Sequence, residues 1–338
     1  MTASVTFPRQ TFAKLSPHPF LLANLSPNDP SVPSSRTNGR APSQARTPQI
    51  SVSSLSHAHG SAVVRTGDTT VMCGVRAEVL PVNSIPQYRP IDSLDPRASN
   101  TGRGELKDYD LLVPNIELAT GCAPNFLPGG PPSSLAQTLS TRVYELLHST
   151  GLVDVDDLKI WHTPKDTNED EGMEGGEEDE SRRPELKAYW VLYIDLLFVS
   201  FDGNPFDAAW AATVAALRAT SLPVARWDVD REMVVCSRGL GKLKVSGLPI
   251  ACTAAVFLEK EHGTAGEGKH WVLLDPDRLE DELCQESVTV FVDRSTGKTR
   301  VMSLNKSGGT VIGVHLMRQM IGMAEKRWEE FAKIMPGA

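Results

Sequence analysis

Along the chain, apolar positions first alternate with polar ones, as on strands with one wet face. Ile50 and Val52 alternate with serines, and the valine- and threonine-rich segments 61–65 and 69–78 follow. Thr66-Gly67-Asp68 joins the last two, with a glycine able to take the positive φ of a tight turn. This predicts a three-stranded meander starting near Gln49. A loop over 81–106 containing Pro86, Pro90 and Pro96 comes next, then a strand over 109–118.

The period then changes. Leu135, Leu139, Val143, Leu146 and Leu147 recur at helical spacing, with Ser133 and Ser134 as N-cap candidates and Gly151 as the stop. A short strand is expected over 158–162. Residues 188–201 are almost continuously apolar and aromatic, the pattern of a central strand buried on both faces. Asp202-Gly203-Asn204-Pro205 turns the chain into an alanine-rich helix with Phe206, Ala209, Trp210, Thr213, Ala216 and Leu217 on one face, ended by Pro223. Strands near 233–235, 250–258, 271–274 and 288–293 follow. A long helix over about 311–334 closes the chain, with Val314, Met317, Ile321, Ala324 and Trp328 on one face. Two blocks of several strands and then a helix predict an α+β body with two sheet-and-helix layers.

Composition changes this picture at two places. Residues 1–60 hold eight prolines, eleven serines and one acid, which predicts an extended arm over 1–48, with 7–25 as a short docking segment. Between Asp166 and Glu185 there are ten acids and two bases, so this run carries the whole net charge of −8 and the rest of the 338 residues are neutral. It reads as a disordered acidic insertion over 164–186. The five cysteines, Cys73, Cys122, Cys236, Cys252 and Cys284, are odd in number, and none forms a C-x-x-C pair, which argues against a disulfide framework and a zinc site. No stretch of 18 apolar residues is present for a membrane span, and no secretory leader is expected.

Candidate chemistry is sparse. Gly263 to His270 approaches a phosphate-binding loop, but His270 replaces the hydroxyl residue and a strand follows where a helix is needed. His57 and His59 share a strand face without a third ligand. Asp275 and Asp281, with Asp277, Glu280 and Glu282 beside them, read either as an acid–base or metal-binding cluster or as a solvated first helical turn. Arg89, Arg97, Arg103 and Lys107 share a loop with four acids, either a solvated loop or a contact for RNA.

A resemblance adds to this reading. Gly60 to Val75, with its Arg65-Thr66-Gly67-Asp68 turn, resembles the opening hairpin of the RNase PH superfamily. Arg36-Thr37-Asn38-Gly39-Arg40 is similar to the superfamily's R-x-D-G-R, with Asn38 in place of aspartate. Asp202 to Ala209, Ser246 to Ile250, Leu274-Asp275-Pro276 and Lys306 to Gly309 follow in the family's order. Within the superfamily the chain resembles a eukaryotic exosome ring subunit of the non-catalytic type. The resemblance implies two stacked lobes of the ribosomal protein S5 domain 2-like kind, at 49–230 and 231–338, the second ending in the long helix. It also implies heterodimer pairing with other RNase PH-like subunits in a six-membered ring, S1/KH-type cap subunits, an associated hydrolytic ribonuclease and RNA passing through a channel. The proline-rich arm is expected on a neighbouring subunit, and residence in nucleus, nucleolus and cytoplasm is implied.

Active relatives bind phosphate with a threonine and an arginine at the central turn, where this chain has Asn204-Pro205-Phe206. Asp275 and Asp281 keep the spacing of the active members' acidic pair, here expected to be vestigial. The resemblance thus implies a structural subunit supporting 3′-to-5′ RNA processing and degradation, including rRNA maturation and mRNA turnover, with no catalytic residue, cofactor or metal. The alternative is a phosphate-dependent 3′-exoribonuclease using Asp275 and Asp281.

Overall fold

In the computed structural model, residues 8–86, 88, 102–127, 130–163, 184–259, 269–284, 286–309 and 313–335 are described. Strands β1 (Pro48–Val52), β2 (Gly60–Thr66) and β3 (Thr69–Pro81) form the expected antiparallel meander. The next segment is less irregular than the sequence suggests, since helix α3 (Gly102–Asp108) precedes β4 (Leu112–Leu118). Helix α4 (Ser134–Thr150) begins as read: the Ser133 side chain accepts from the Ala136 N–H, and Gly151 ends it at φ 65°. Strand β5 (Lys159–His162) follows.

The centre of the first sheet is β6 (Glu185–Ser200). It runs antiparallel to β3 along its length, to β5 at its start, and parallel to β4 at its end. The order is β1-β2-β3-β6-β4. Burial on both faces holds only for Ala188–Leu192; beyond it Asp195, Leu197 and Val199 alternate outward to solvent. The acidic insertion, expected to end at 186, ends sooner, because Glu185 and Leu186 already belong to β6. Residues 164–183 lie outside the described residues.

Helix α5 (Pro205–Arg218) is buried on every side from Phe206 to Leu217, not on one face as the spacing predicts. It lies between β2 and β3 of the first sheet and β9 of the second. Alanines permit close approach on both sides. At its end a Cβ on Gly60 would sit 2.6 Å from the Ala216 carbonyl oxygen, so only glycine lets β2 pass there. The helix stops at Arg218, and Pro223 instead lies inside β7 (Ser221–Asp228), which pairs with β8 (Met233–Lys242) in a separate two-stranded sheet.

The second sheet has the order β10-β9-β11-β12, from β9 (Ile250–Leu258), β10 (His270–Leu274), β11 (Glu286–Asp293) and β12 (Arg300–Ser307). Short α6 (Arg278–Leu283) follows β10. Helix α7 (Val314–Ile334) covers the face carrying Cys252, Ala254, Val290 and Val292 with Met320, Met323 and Ala324. The opposite face meets α5 through Ala251 and Phe291.

The arm departs most from expectation. It forms α1 (Arg9–Leu15) and α2 (Pro17–Leu25), and α2 packs on the chain's own second sheet. Leu21 and Leu25 are buried against Phe257 and Leu273, and the His18 ring lies 4.6 Å from that of Phe257. Averaged over sixty residues the apolar content is low, but Phe20, Leu21 and Leu25 concentrate it on one short helix, enough to close that end of the sheet.

Candidate functional site

Three segments distant in sequence converge between the sheets: the stretch 36–46, the turn from β6 into α5, and the connection from β10 into α6. The first is tied down by Arg36, which is 1% exposed. Its Nε donates to Glu280 Oε1 at 2.7 Å and its Nη2 to Glu280 Oε2. Nη1 reaches the Leu274 carbonyl at 2.7 Å and the Gln44 carbonyl at 3.1 Å, while Nη2 also reaches the Asp275 carbonyl. Every guanidinium donor is used, as a buried arginine requires. Glu280 also accepts from the Asp277 N–H at 2.9 Å, and Asp277 accepts from the Glu280 N–H, a capping box that starts α6.

Arg46 reaches Asp275 with two prongs, Nε to Oδ2 at 2.9 Å and Nη2 to Oδ1 at 2.8 Å, and adds its backbone N–H at 2.8 Å. Its Nη1 donates to the Asp202 carbonyl at 2.6 Å. Burial alone would raise the Asp275 pKa, but the Arg46 hydrogen bonds and charge override it and bring it down to about 2.

Asn204 joins the two aspartates expected as a pair. Its Nδ2 donates to Asp275 Oδ1 at 2.8 Å and to Asp207 Oδ2 at 3.0 Å, and its backbone N–H donates to Asp281 Oδ2 at 2.8 Å. Asn204 takes φ 46°, a conformation asparagine tolerates better than most residues. Beside it a Cβ on Gly203, at φ 74°, would lie 2.3 Å from the Asp277 carbonyl carbon, so this turn is pressed directly on the start of α6. Asp207, fully buried, accepts from Thr253 N–H at 2.9 Å and Thr253 Oγ1 at 2.6 Å; burial pushes its pKa up. Burial also raises that of Asp281, to about 7, outweighing the Asn204 N–H bond and the Arg46 charge that pull it down, with the charges of Asp275 and Asp277 adding to the rise.

An α-helix N-terminus attracts anions through its free N–H groups. At the start of α5 the Asn204 N–H is taken by Asp281, Pro205 has none, and Phe206 is buried. The Arg142 guanidinium lies 3.8 Å above the Phe206 ring and reaches Thr289 Oγ1 at 3.2 Å. Four carboxylates, of Asp202, Asp207, Asp275 and Asp281, approach this one turn. That arrangement fastens the turn to the second sheet and takes up the Asn204 N–H within the chain.

Of the other sequence candidates, those that are described do not join it. Arg89 and Arg97 lie outside the described residues, and Arg103 is described by its backbone in α3 only. Lys107 is exposed on α3, which packs beside α4. His57 is exposed, while His59 Nδ1 accepts from the Ala77 N–H at 3.0 Å. Residues 263–268 of the glycine-rich loop are outside the described residues, and His270 starts β10. Among the described residues no group of three or more His, Cys, Asp or Glu side chains could hold a metal ion. Sequence reading missed Arg46, Asn204 as a bridge, and Asp207; the one available signal was a third arginine at 46 after Arg36 and Arg40, in a stretch without an acid to pair them.

Comparison with known proteins gives the family and the fold. The sequence matches the RNase_PH family, "3' exoribonuclease family, domain 1", over residues 44–223, and its domain 2 over 247–327. It is 29% identical over 325 residues to the "Exosome complex component rrp43" of Schizosaccharomyces pombe, covering 96% of this chain and 97% of that one. It is also 29% identical over 295 residues to the "Exosome complex component Rrp42" of Methanopyrus kandleri, covering 87% and 88%. In fold it resembles a chain of the Archaeoglobus fulgidus exosome with RNA bound to the active site, at TM-score 0.62, 24% identity and coverage of 93% and 97%. A chain of an archaeal exosome core superposes at TM-score 0.60, with 21% identity and coverage of 96% and 100%.

Proposed function

Because the chain belongs to the 3′ exoribonuclease family and carries both of its domains, we propose that it is a ring subunit of an RNA exosome core that performs no phosphorolysis itself. The observation that carries this reading is Asn204: its N–H is occupied by Asp281, and the next two residues are Pro205 and a buried Phe206. Phosphorolysis needs a dianion held in line by charge-assisted donors. A turn filled with the protein's own carboxylates repels it.

The subunit's contribution is then architectural. It supports 3′-to-5′ RNA processing and decay, including rRNA maturation and mRNA turnover, by forming part of the channel wall and docking its neighbours. Those neighbours are other RNase PH-like subunits paired as heterodimers in a six-membered ring, with S1/KH-type caps and a hydrolytic ribonuclease beyond them. The names of the relatives support this assembly. The lobes correspond to 49–230 and 231–338, and the complex works in nucleus, nucleolus and cytoplasm. Native mass spectrometry on the tagged full chain from its own cells tests the reading. An assembly with several non-identical RNase PH-like subunits is expected; a monomer or a homohexamer would overturn it.

One observation favours the second reading, an active enzyme. A carboxyl that titrates near neutrality, as Asp281 does at about 7, suits general acid–base work. Its Oδ2, however, is engaged by the turn that the phosphate would have to displace.

A further inference from the structure

The β7–β8 hairpin stands apart from both main sheets. Its inner side is seated: Ala225 and Val234 pack on the main core, and Lys187 lies over the Trp227 ring at 5.5 Å. Its outer side is apolar and uncovered. Val224 is 42% exposed, Val235 38%, and Met233 53%. Val224 also borders a notch of about 220 Å³ between β5 and β7, lined further by Trp161, Trp190 and Pro223. Trp161 is itself 42% exposed. A run of apolar side chains from Trp161 through Val224 to Val235 and Met233 is unusual on a surface that faces only water.

Charge says what kind of surface fits over it. The stem carries exposed Arg226, Arg238 and Lys242, while Lys244 just beyond it pairs with Asp157. The hairpin's own acids, Asp228, Asp230 and Glu232, are gathered at its tip, where Arg231 pairs with Asp228. Two copies of this chain meeting here about a twofold axis along the hairpin would set bases against bases. An apolar surface rimmed by acids matches. Residues 224–246, most of the hairpin, also lie between the two stretches matched by the family's domains. Chains that share those domains can therefore differ here, as neighbour selection in a ring of similar subunits requires.

We infer that the outer face of the β7–β8 hairpin, with the notch beside Trp161, is the surface by which this chain selects one neighbour, a non-identical RNase PH-like chain with an acid-rimmed apolar face; this rests on the ring reading above. An apolar side chain of that neighbour fills the notch, and its acids meet Arg226 and Arg238.

The test uses the tagged full-length chain expressed in its own cells, as wild type, as V224E/V235E and as R226E, each isolated and weighed by native mass spectrometry with the subunits identified by peptide sequencing. The double variant is expected to recover at least one RNase PH-like neighbour about tenfold less per copy. R226E is expected to recover that same neighbour less, with the deficit shrinking as salt is raised and screens the rim charges. Thermal unfolding of each isolated chain should stay at the wild-type midpoint, since all three positions face outward. Variants with wild-type midpoints that recover every neighbour at wild-type levels would overturn the surface assignment and leave the ring reading standing. A wild-type chain that emerges alone, or only with copies of itself, would overturn both.

Discussion

Arg46 holds Asp275 by a two-pronged ion pair, at 2.9 and 2.8 Å, inside the seam between the two sheets. One of the two aspartates that sequence reading offers as catalytic is thereby a fastening. Removing one partner of a buried pair leaves the other uncompensated, so Arg46→Ala should cost ~3–5 kcal/mol of unfolding free energy. Denaturant unfolding of the isolated chain measures this. A loss below about 1 kcal/mol would mean the pair is solvated in solution.

Asp281 makes stability depend on pH. Its folded pKa is raised from 3.8 to about 7, so between those values the folded state binds more protons than the unfolded chain. Stability from this group is therefore present below about pH 4 and lost as pH rises through 7. Asp281→Asn keeps an acceptor for the Asn204 N–H and carries no charge to desolvate. The variant should melt higher than wild type at pH 8, with the difference shrinking towards pH 5. Equal shifts at both pH values would contradict the assignment.

The arm should behave as part of the second lobe. Leu21→Asp places a charge against Phe257 and Leu273. Hydrogen exchange is expected to accelerate over 17–25 and at the neighbouring ends of β9 and β10, while β2, β3 and β6 stay protected. Unchanged exchange over 17–25 would show that α2 does not dock on its own chain.

Gly203 accepts no side chain. Its φ of 74° and the 2.3 Å approach of a Cβ to the Asp277 carbonyl carbon combine strain with a backbone clash. Gly203→Ala should lower the melting midpoint by about 3 °C or more, as expected for a loss above ~2 kcal/mol in a chain of this length. A wild-type midpoint would mean the turn and α6 are not in contact.

Elements whose local pattern had one explanation were legible in the sequence. The meander follows from its spacing, and α4 from its spacing and the caps at Ser133 and Gly151. α7 exists where the helical period puts it, but its buried face is Met320, Met323, Ala324, Arg327 and Phe331, while Val314 of the expected face is 69% exposed. Where a second layer decides, the pattern misled. The alanine-rich helix reads as amphipathic because a one-dimensional pattern does not reveal a second sheet over its small residues. Pro223 reads as a helix stop, yet sits at a register irregularity of β7, where a missing N–H costs little. At the site, the spacing of Asp275 and Asp281 was visible, but their roles were not. Those depend on Arg46 and Asn204, 229 and 71 residues away from Asp275, contacts that only folding creates.

The most direct test of the non-catalytic reading is phosphate-dependent release of nucleoside diphosphates from single-stranded RNA by the assembly purified through this chain, with Asp281 intact or replaced by Asn. The account predicts rates equal within about twofold, since Asp281 caps a turn and touches no substrate. A fall of roughly 10²-fold or more, the usual worth of a general acid or base, in a variant that still assembles would contradict it.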